Sequence, residues 1–514
     1  MASNHADQNS MIVTQAMIDE QISSYSDGIV SFLASFEPET SIAAWRDLIR
    51  KAEELINLVA FEISDPSLAQ HIQTLPLDER MADNPQLGID ARRELERSFT
   101  VGVARRFQSM VFELTTFAVG MADSGRSLSD GFQMLTVADG IRYLQSRRRH
   151  FVAILYLMNS ASEGNRRIGG DGGGALTALG PLIEHCCTNF TSWHWQKIHK
   201  LCLPNQAIEL TSKGARVGHD YQPLDAMHLE PERASVIDMT EHRPNTQGSP
   251  KQEPVDPRLV LSAPELRNQL RQIRFAYSSF DLADREYQMI CLMISVFSRH
   301  CRDNYYIEMS TDLFASMLHC QTVFDVDWLQ AKMVNRSTTF AEAINGYEPF
   351  IESGGKVLST VTLLLRFAYE FKNRHLESRR RFQIHAGFIF EDMVTAVLQE
   401  AGFTDMKVTR INRKEFDVVT VKDGVIHNFQ CKNNWIDITK VEADPHLYAR
   451  YNRRLVSSYR RALVKEKNRE HLLQAKFGIQ QIHHYVVSRF PVITDQPGII
   501  NYNVLAERAY MLPK

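Results

Sequence analysis

The dipeptide Asp423-Gly424 stands between two runs rich in β-formers, Lys414-Glu-Phe-Asp-Val-Val-Thr-Val-Lys422 and Val425-Ile-His-Asn-Phe-Gln-Cys-Lys432. A two-residue type I′ turn needs φ > 0 at both central positions, and Asp-Gly in this setting is a strong short-range hairpin signal. With these residues as the loop, Lys422 pairs with Val425, and counting back sets Asp417 opposite Gln430. Directly opposed residues share a face, with Cβ atoms about 5 Å apart. Lys432, two residues past Gln430, joins that face through the strand period. The register therefore predicts an acid, an amide and a lysine in one patch. Val419, Val421 and Ile426 fall on the same face, and Phe416, Val418, Phe429 and Cys431 on the other. A strand apolar on both sides suits the centre of a sheet covered by helices. Polar groups gathered at one end of it suggest a pocket. The alternative pairs Glu415 with Lys432 as an exposed ion pair and turns Asp417 and Gln430 to water.

His385 to Ala401 reads as a helix, with Phe390, Met393, Val394, Val397, Leu398 and Ala401 on its apolar stripe and Gly402 as its stop. Glu391 precedes Val394 and Leu398 by three and seven residues, at the edge of that stripe, where its carboxylate can lean over the sheet. A short strand (Met406 to Ile411), the hairpin, a long helix from about Pro445 to Lys476 and a strand from Ile479 to Phe490 complete the order.

Gly387-Phe-Ile-Phe-Glu391, Gly402-Phe403, Phe416-Asp417 and Phe429-Gln-Cys-Lys432 together resemble the PD-(D/E)xK nuclease superfamily, specifically its Mrr-like branch of type IV restriction endonucleases. The likeness covers roughly residues 380 to 495, about a quarter of the chain. Gln430 stands where the superfamily usually has an acid, a replacement typical of the Mrr-like branch. The glycine-rich run that often precedes the aspartate there is missing. The resemblance implies a restriction-endonuclease-like fold, a Mg²⁺ (or Mn²⁺) cofactor and catalytic Glu391, Asp417, Gln430 and Lys432. Phosphodiester cleavage needs an activated water and neutralised phosphate charge, and a hard divalent ion held by oxygen ligands supplies both. Asp417 would be the bridging ligand, Glu391 the second acid and Gln430 a neutral amide-oxygen ligand. Lys432 would orient the water or screen the charge that builds on phosphate.

From Lys407 to Lys476 sixteen Lys/Arg face eight Asp/Glu, within a chain of net charge −3. Arg450, Arg453, Arg454, Arg460, Arg461, Lys465 and Lys467 crowd the long helix, a field suited to phosphate backbones. Tyr448, Tyr451 and Tyr459 are interleaved and could stack on bases or bond phosphate. Arg379, Arg380 and Arg381 extend the basic surface. The ordinary reading is an amphipathic helix with Leu447, Tyr451, Leu455 and Leu463 inward and the basic residues in water; both can hold together.

At 514 residues and 44% hydrophobic, the chain has room for two or three domains. The polar start, Met1-Ala-Ser-Asn-His-Ala-Asp, lacks the apolar core of a signal peptide, and no apolar run is long enough to cross a bilayer. Seven cysteines without regular spacing suggest reduced thiols in the cytoplasm. The expected organisation is a tail (1–10), a helical domain (11–210), a polar Pro-rich linker (211–262), a helical region (263–381) and the nuclease-like domain (382–514). The fold class is thus largely α-helical N-terminal and middle regions followed by an α/β domain with a central mixed sheet flanked by helices. The clearest helical blocks are Ala44 to Phe61, Ala91 to Phe117, Gly140 to Met158, Asp281 to His300 and Val357 to Glu377.

Asn165-Arg-Arg-Ile-Gly-Gly-Asp-Gly-Gly-Gly174 lacks the Gly-Lys-Ser/Thr ending of a phosphate-binding loop and reads as a connection. His185, Cys186, Cys187, His194, His199 and Cys202 invite a zinc reading, but their spacings fit no common closed site, so packed thiols and histidines are expected. Trp193 and Trp195 read as core or interface anchors. The leading expectation is a Mg-dependent endonuclease acting on DNA, with RNA left open, in restriction or defence against foreign DNA or in repair. A homodimer would let it cut both strands. The competing classes are a nucleic-acid-binding protein of the same fold without turnover, and a helical protein-interaction scaffold.

Overall fold

Buried arginines, together with apolar packing, join distant parts of this chain. The computed structural model describes residues 11–58, 65–128, 133–169, 174–205, 208–211, 214–217, 250–279, 284–377, 379–408, 410–434 and 443–513. The expected tail, 1–10, and residues 218–249 of the expected linker lie outside the described residues. The chain divides into two compact units, each assembled from separated stretches: Ile22–Ser192 with Arg243–Lys372, and Met1–Gln21 with Trp193–His242 and Asn373–Lys514.

In the first unit, helix α1 (Pro38–Leu58) lies against α3 (Val137–Ala161) and α2 (Val101–Asp123). The expected single block from Ala91 to Phe117 is two helices, because the Thr100 side chain accepts from Val103 N–H and starts α2 afresh. Residues 263–381, expected to be helical throughout, also contain an antiparallel sheet. Strands β1 (Cys301–Arg302), β2 (Tyr306–Ser310), β3 (Ile351–Ser353) and β4 (Lys356–Thr360) take the order β1-β2-β4-β3. Gly354 and Gly355 turn its second hairpin with φ of 56° and 72°. The expected Val357–Glu377 helix therefore begins only at Val361; residues 357–360 belong to β4, whose apolar pattern runs straight into the helical one.

Arginines tie this sheet to the N-terminal helices. Arg46 of α1 donates to the Ser359 carbonyl at 2.6 Å and to Glu308 at 3.1 Å, and Arg149 of α3 donates at 2.7 Å to the Ile344 carbonyl, which ends the short helix Phe340–Ile344 ahead of β3. That is why the regions expected on either side of a linker share one compact unit. The linker's near end is pinned as well. Glu253 binds Arg267 at 2.6 and 2.9 Å, and Thr100 N–H donates to the Arg258 carbonyl at 3.0 Å. At its far end, Ile208–Thr211 pairs with Met11–Ile12 and with Gly214–Val217.

The C-terminal stretch of the second unit builds a five-stranded mixed sheet flanked by helices. Its strands are β5 (Thr404–Asp405), β8 (Val418–Lys422), β9 (Val425–Lys432), β10 (Ile482–Ser488) and β11 (Ile499–Asn501), in the order β11-β10-β9-β8-β5. The β8–β9 hairpin is antiparallel, whereas β10 runs parallel to both β9 and β11. Asp423 (φ 51°) and Gly424 (φ 79°) form its turn, and Lys422 pairs with Val425 as counted from the sequence. The strand expected at Met406–Ile411 is instead β5 and a separate two-stranded hairpin, β6 (Arg410–Ile411) with β7 (Lys414–Glu415), turned by Asn412 and Arg413 at positive φ.

Helix α4 (Arg380–Glu400) lies against β8 and β9. The expected long helix breaks at Arg469 into α5 (Pro445–Asn468) and α6 (Glu470–Phe477), and Gly478 (φ 70°) ends it. Leu473 of α6 packs with Phe416, Val419 and Ile426, so α6 covers the sheet face that also bears Asp417. Phe416 was expected on the opposite face. Asp417 stands in a bend just before β8, so strand alternation does not reach back to 416. On that opposite face the rings of His427, Phe429 and Tyr485 stack, with Phe403 edge-on to His427, and burial pushes His427 down to about 4, so it is neutral at pH 7.

Nothing lies within 4 Å of a Cβ placed on Gly424, so replacing it costs only backbone strain. Gly424→Ala is expected to lower unfolding free energy by about 1 kcal/mol, measured by urea titration. An unchanged midpoint would show that the turn does not need its left-handed geometry.

Candidate functional site

The tight turn delivers Asp417 and Gln430 to one place. Asp417 Oδ2 accepts a hydrogen bond from the Gln430 side-chain amide across the hairpin and another, at 2.8 Å, from the backbone N–H of Cys431. Both donors lie on β9, the strand next to the bend that carries Asp417. Half-burial excludes the arrangement with Asp417 and Gln430 turned to water. Glu415 pairs with Arg410 across the β6–β7 hairpin, not with Lys432.

Glu391 reaches the same place from α4. Burial, then the Asp417 charge, push its carboxyl up to about 7, against a weaker opposing pull from Lys432. Asp417 is itself raised by burial, with Lys432 and its two N–H donors working against the shift. The Cys431 thiol is raised by burial and then by the charges of Asp417 and Glu391, which places both acids around the end of β9. Glu391, Asp417, Gln430 and Lys432 are thus brought together. Neither the Glu391 carboxylate, the Lys432 ammonium nor Gln430 Oε1 hydrogen-bonds a described residue.

Two half-buried carboxylates in mutual repulsion beside a free amide oxygen are a donor set for a hard divalent cation. The ion would relieve the repulsion that raises Glu391 and offset the burial that raises both acids, and oxygen ligands match Mg²⁺ or Mn²⁺. Asp417 Oδ1, a Glu391 oxygen and Gln430 Oε1 are the atoms available to it.

A buried network beside the site escaped sequence reasoning. Glu466 of α5 accepts from Asn428 at 2.9 Å and from Arg469 at 2.9 Å, and the Arg469 guanidinium lies 4.5 Å over the Phe416 ring. Glu466 also raises Asp417. Asn428, two residues before Gln430 on the same face, was the available signal; the partner on a helix 38 residues away was not.

Arg450, Arg453, Arg454, Arg460 and Arg461 are all exposed on α5. At 100° per residue, Arg450, Arg453, Arg454, Arg461 and Lys465 fall within an arc of about 120° and span about 22 Å. Arg460 meets Asp495 at 3.4 Å and Arg453 donates to its own helix, while Arg450, Arg454 and Arg461 have no partner among the described residues. The tyrosines divide differently from the expectation. Tyr448 and Tyr459 are buried, bonding the Pro491 carbonyl and Ser488, and only Tyr451 is exposed. The inward stripe is Tyr448, Asn452, Val456 and Tyr459, with Leu447, Leu455 and Leu463 at its margin.

Residues expected to be packed rather than metal-binding include Cys202, a thiol that burial pushes up to about 12. It shares a core with Trp195, whose ring meets Tyr448 edge-on at 5.9 Å. Residues 170–173 of the glycine run lie outside the described residues. After them, the N-terminus of the helix Ala175–Leu182 is taken by the protein's own Glu113, which accepts from Leu176 N–H at 3.1 Å. No helix is long and apolar enough to cross a membrane among the described residues. Comparisons with protein-family models, curated proteins and solved structures find no match to this chain.

The raised acid has a thermodynamic signature. A Glu391 carboxyl at about 7 when folded, against 4.5 for the free group, keeps its proton in the folded state over that window. Stability of the metal-free chain is therefore expected to fall as pH rises through it, and Glu391→Gln to flatten the slope. Urea midpoints measured across the window check this; identical slopes in the two proteins would refute it.

Proposed function

We propose that the chain is a metal-dependent endonuclease that hydrolyses phosphodiester bonds in DNA, with a restriction-endonuclease-like C-terminal domain. The observation that carries the reading is the convergence of Glu391, Asp417, Gln430 and Lys432 at one end of the β8–β9 hairpin, in the order of the Mrr-like resemblance. Bound Mg²⁺ or Mn²⁺ would supply Lewis acidity and a water of lowered pKa. The chain's own residues do the rest. Gln430 and Cys431 hold Asp417 in one rotamer, and Glu391, its proton released to solvent, would be a second anionic ligand. Lys432, uncommitted to any hydrogen bond, screens charge developing on the phosphate. The exposed arginines of α5 attract the backbone without reading sequence. Restriction of foreign DNA is the role that the resemblance favours, with repair as its nearest variant.

One observation favours a second reading, a nucleic-acid-binding protein without turnover: Gln430 supplies no negative charge and donates to Asp417. Plasmid nicking separates the two. Wild-type protein is expected to nick supercoiled plasmid with Mg²⁺ or Mn²⁺ and not with EDTA. Asp417→Ala and Lys432→Ala should each reduce the rate by about 100-fold or more. Binding without metal-dependent nicking would favour the inactive reading, and no binding at low salt would leave neither.

The basic helix has its own test. Replacing Arg450, Arg454 and Arg461 together by alanine should reduce the slope of log K against log salt by about 3, and weaken all duplex sequences alike. A sequence-selective loss, or an unchanged slope, would remove α5 from the interface.

A further inference from the structure

The outward side of α4 carries two features that its own stability does not explain. Gly387 lies in the helix interior, where glycine is less stable than alanine, yet a Cβ built there would meet nothing within 4 Å. Nothing inside the protein requires the small residue. Beside it, Phe388 is 61% exposed, and Ile384, one turn earlier, 48%. A lone exposed apolar residue needs no explanation, but these two are surface neighbours at i and i+4. Helical spacing continues their row to Glu391, three residues after Phe388, and sets Gly387 one turn before that acid. Arg380 and Arg381 are exposed at the start of the helix; of its exposed acids, Asp392 lies beside Glu391, and Glu400 at the far end.

We propose that this side of α4 holds the nucleic-acid strand at the cleavage point, its backbone passing over Gly387 toward Glu391 and one unstacked base lying on Phe388 and Ile384. The inference rests on the nuclease reading above and adds a substrate state to it: a strand locally opened or kinked beside the scissile phosphate. A missing side chain permits close approach of a backbone. An exposed aromatic ring stacks on any base, and apolar wedges unstack duplex steps. Base and phosphate of a nucleotide are one sugar apart, a separation on the scale of the single turn between Phe388 and Glu391. Arg380 and Arg381 give this end of the helix the charge that suits phosphates, which favours nucleic acid over a second copy of the chain.

The test uses the full chain in an Asp417→Asn background, so that DNA stays intact, with a mixed-sequence duplex probed by permanganate, which oxidises unstacked thymines. The expected result is enhanced thymine reactivity that Phe388→Ala abolishes and Phe388→Trp retains, with about tenfold weaker binding for the alanine variant. With Asp417 intact, Gly387→Ala should raise the melting temperature yet slow plasmid nicking at least tenfold, a pairing that a purely structural glycine would not produce. Unchanged permanganate reactivity, binding and nicking in both variants of a protein that does nick plasmid would overturn this inference alone. A Phe388→Ala variant that binds normally but halves in mass by light scattering would assign the patch to a second copy instead. A parent protein that binds neither DNA nor RNA at low salt would take down the nuclease reading, and this inference with it.

Discussion

The carboxylate of Asp417, held by two N–H donors from the neighbouring strand, is the interaction on which the site depends. A half-buried acid without donors would take up a proton or turn to solvent. Here the Gln430 amide and the Cys431 N–H offset part of the desolvation and fix the rotamer. Both donors are available because the turn at Asp423 and Gly424 allows only one register. A slip of one residue would send Asp417 and Gln430 to opposite faces and dismantle the patch. The chemistry of the site is thus tied to the backbone geometry of two residues about 20 Å along the strands from it, at the roughly 3.3 Å rise of a strand residue.

Around that core the fold accepts electrostatic cost. Glu391 is raised by burial and then by the Asp417 charge, and Asp417 by burial and then by Glu466, which works against the folded state at neutral pH. The buried Glu466 beside them keeps its neighbours through Arg469 and Asn428, a fully bonded arrangement that holds Phe416, and with it the start of β8, in place. Sites that store unfavourable charge in a well-bonded frame are those in which a cation or substrate can return the cost. The first unit uses charge for a different end. Its buried guanidinium groups bond carbonyls of a strand and of a helix end, so Arg46 and Arg149 join stretches some two or three hundred residues apart in the chain.

Legibility of the sequence followed the range of the interactions. The hairpin register, the helix carrying Glu391 and the basic run of α5 depend on neighbours a few residues away, and were readable from turn chemistry and periodicity. The four-stranded sheet within 263–381 was not, because β2 and β4 are five residues each and their alternation merges with adjoining helical patterns. Tyr448 and Tyr459 looked available for nucleic acid, but the direction of α5's buried stripe is set by what it packs on: Val486, Phe490 and Trp195. Glu466 could not be found beside Asn428 for the same reason.

By itself, the sequence determined which residues share the hairpin's polar patch, since an Asp-Gly turn and a period of two leave one arrangement. It also determined that a strongly basic helix follows. Only the tertiary structure decided how deeply the two acids are buried, that Glu391 comes close enough for Asp417 to raise it, and that Phe416 leaves the face alternation assigns to it. Those outcomes depend on helices docking over the sheet, and docking is governed by contacts between residues that no local period relates.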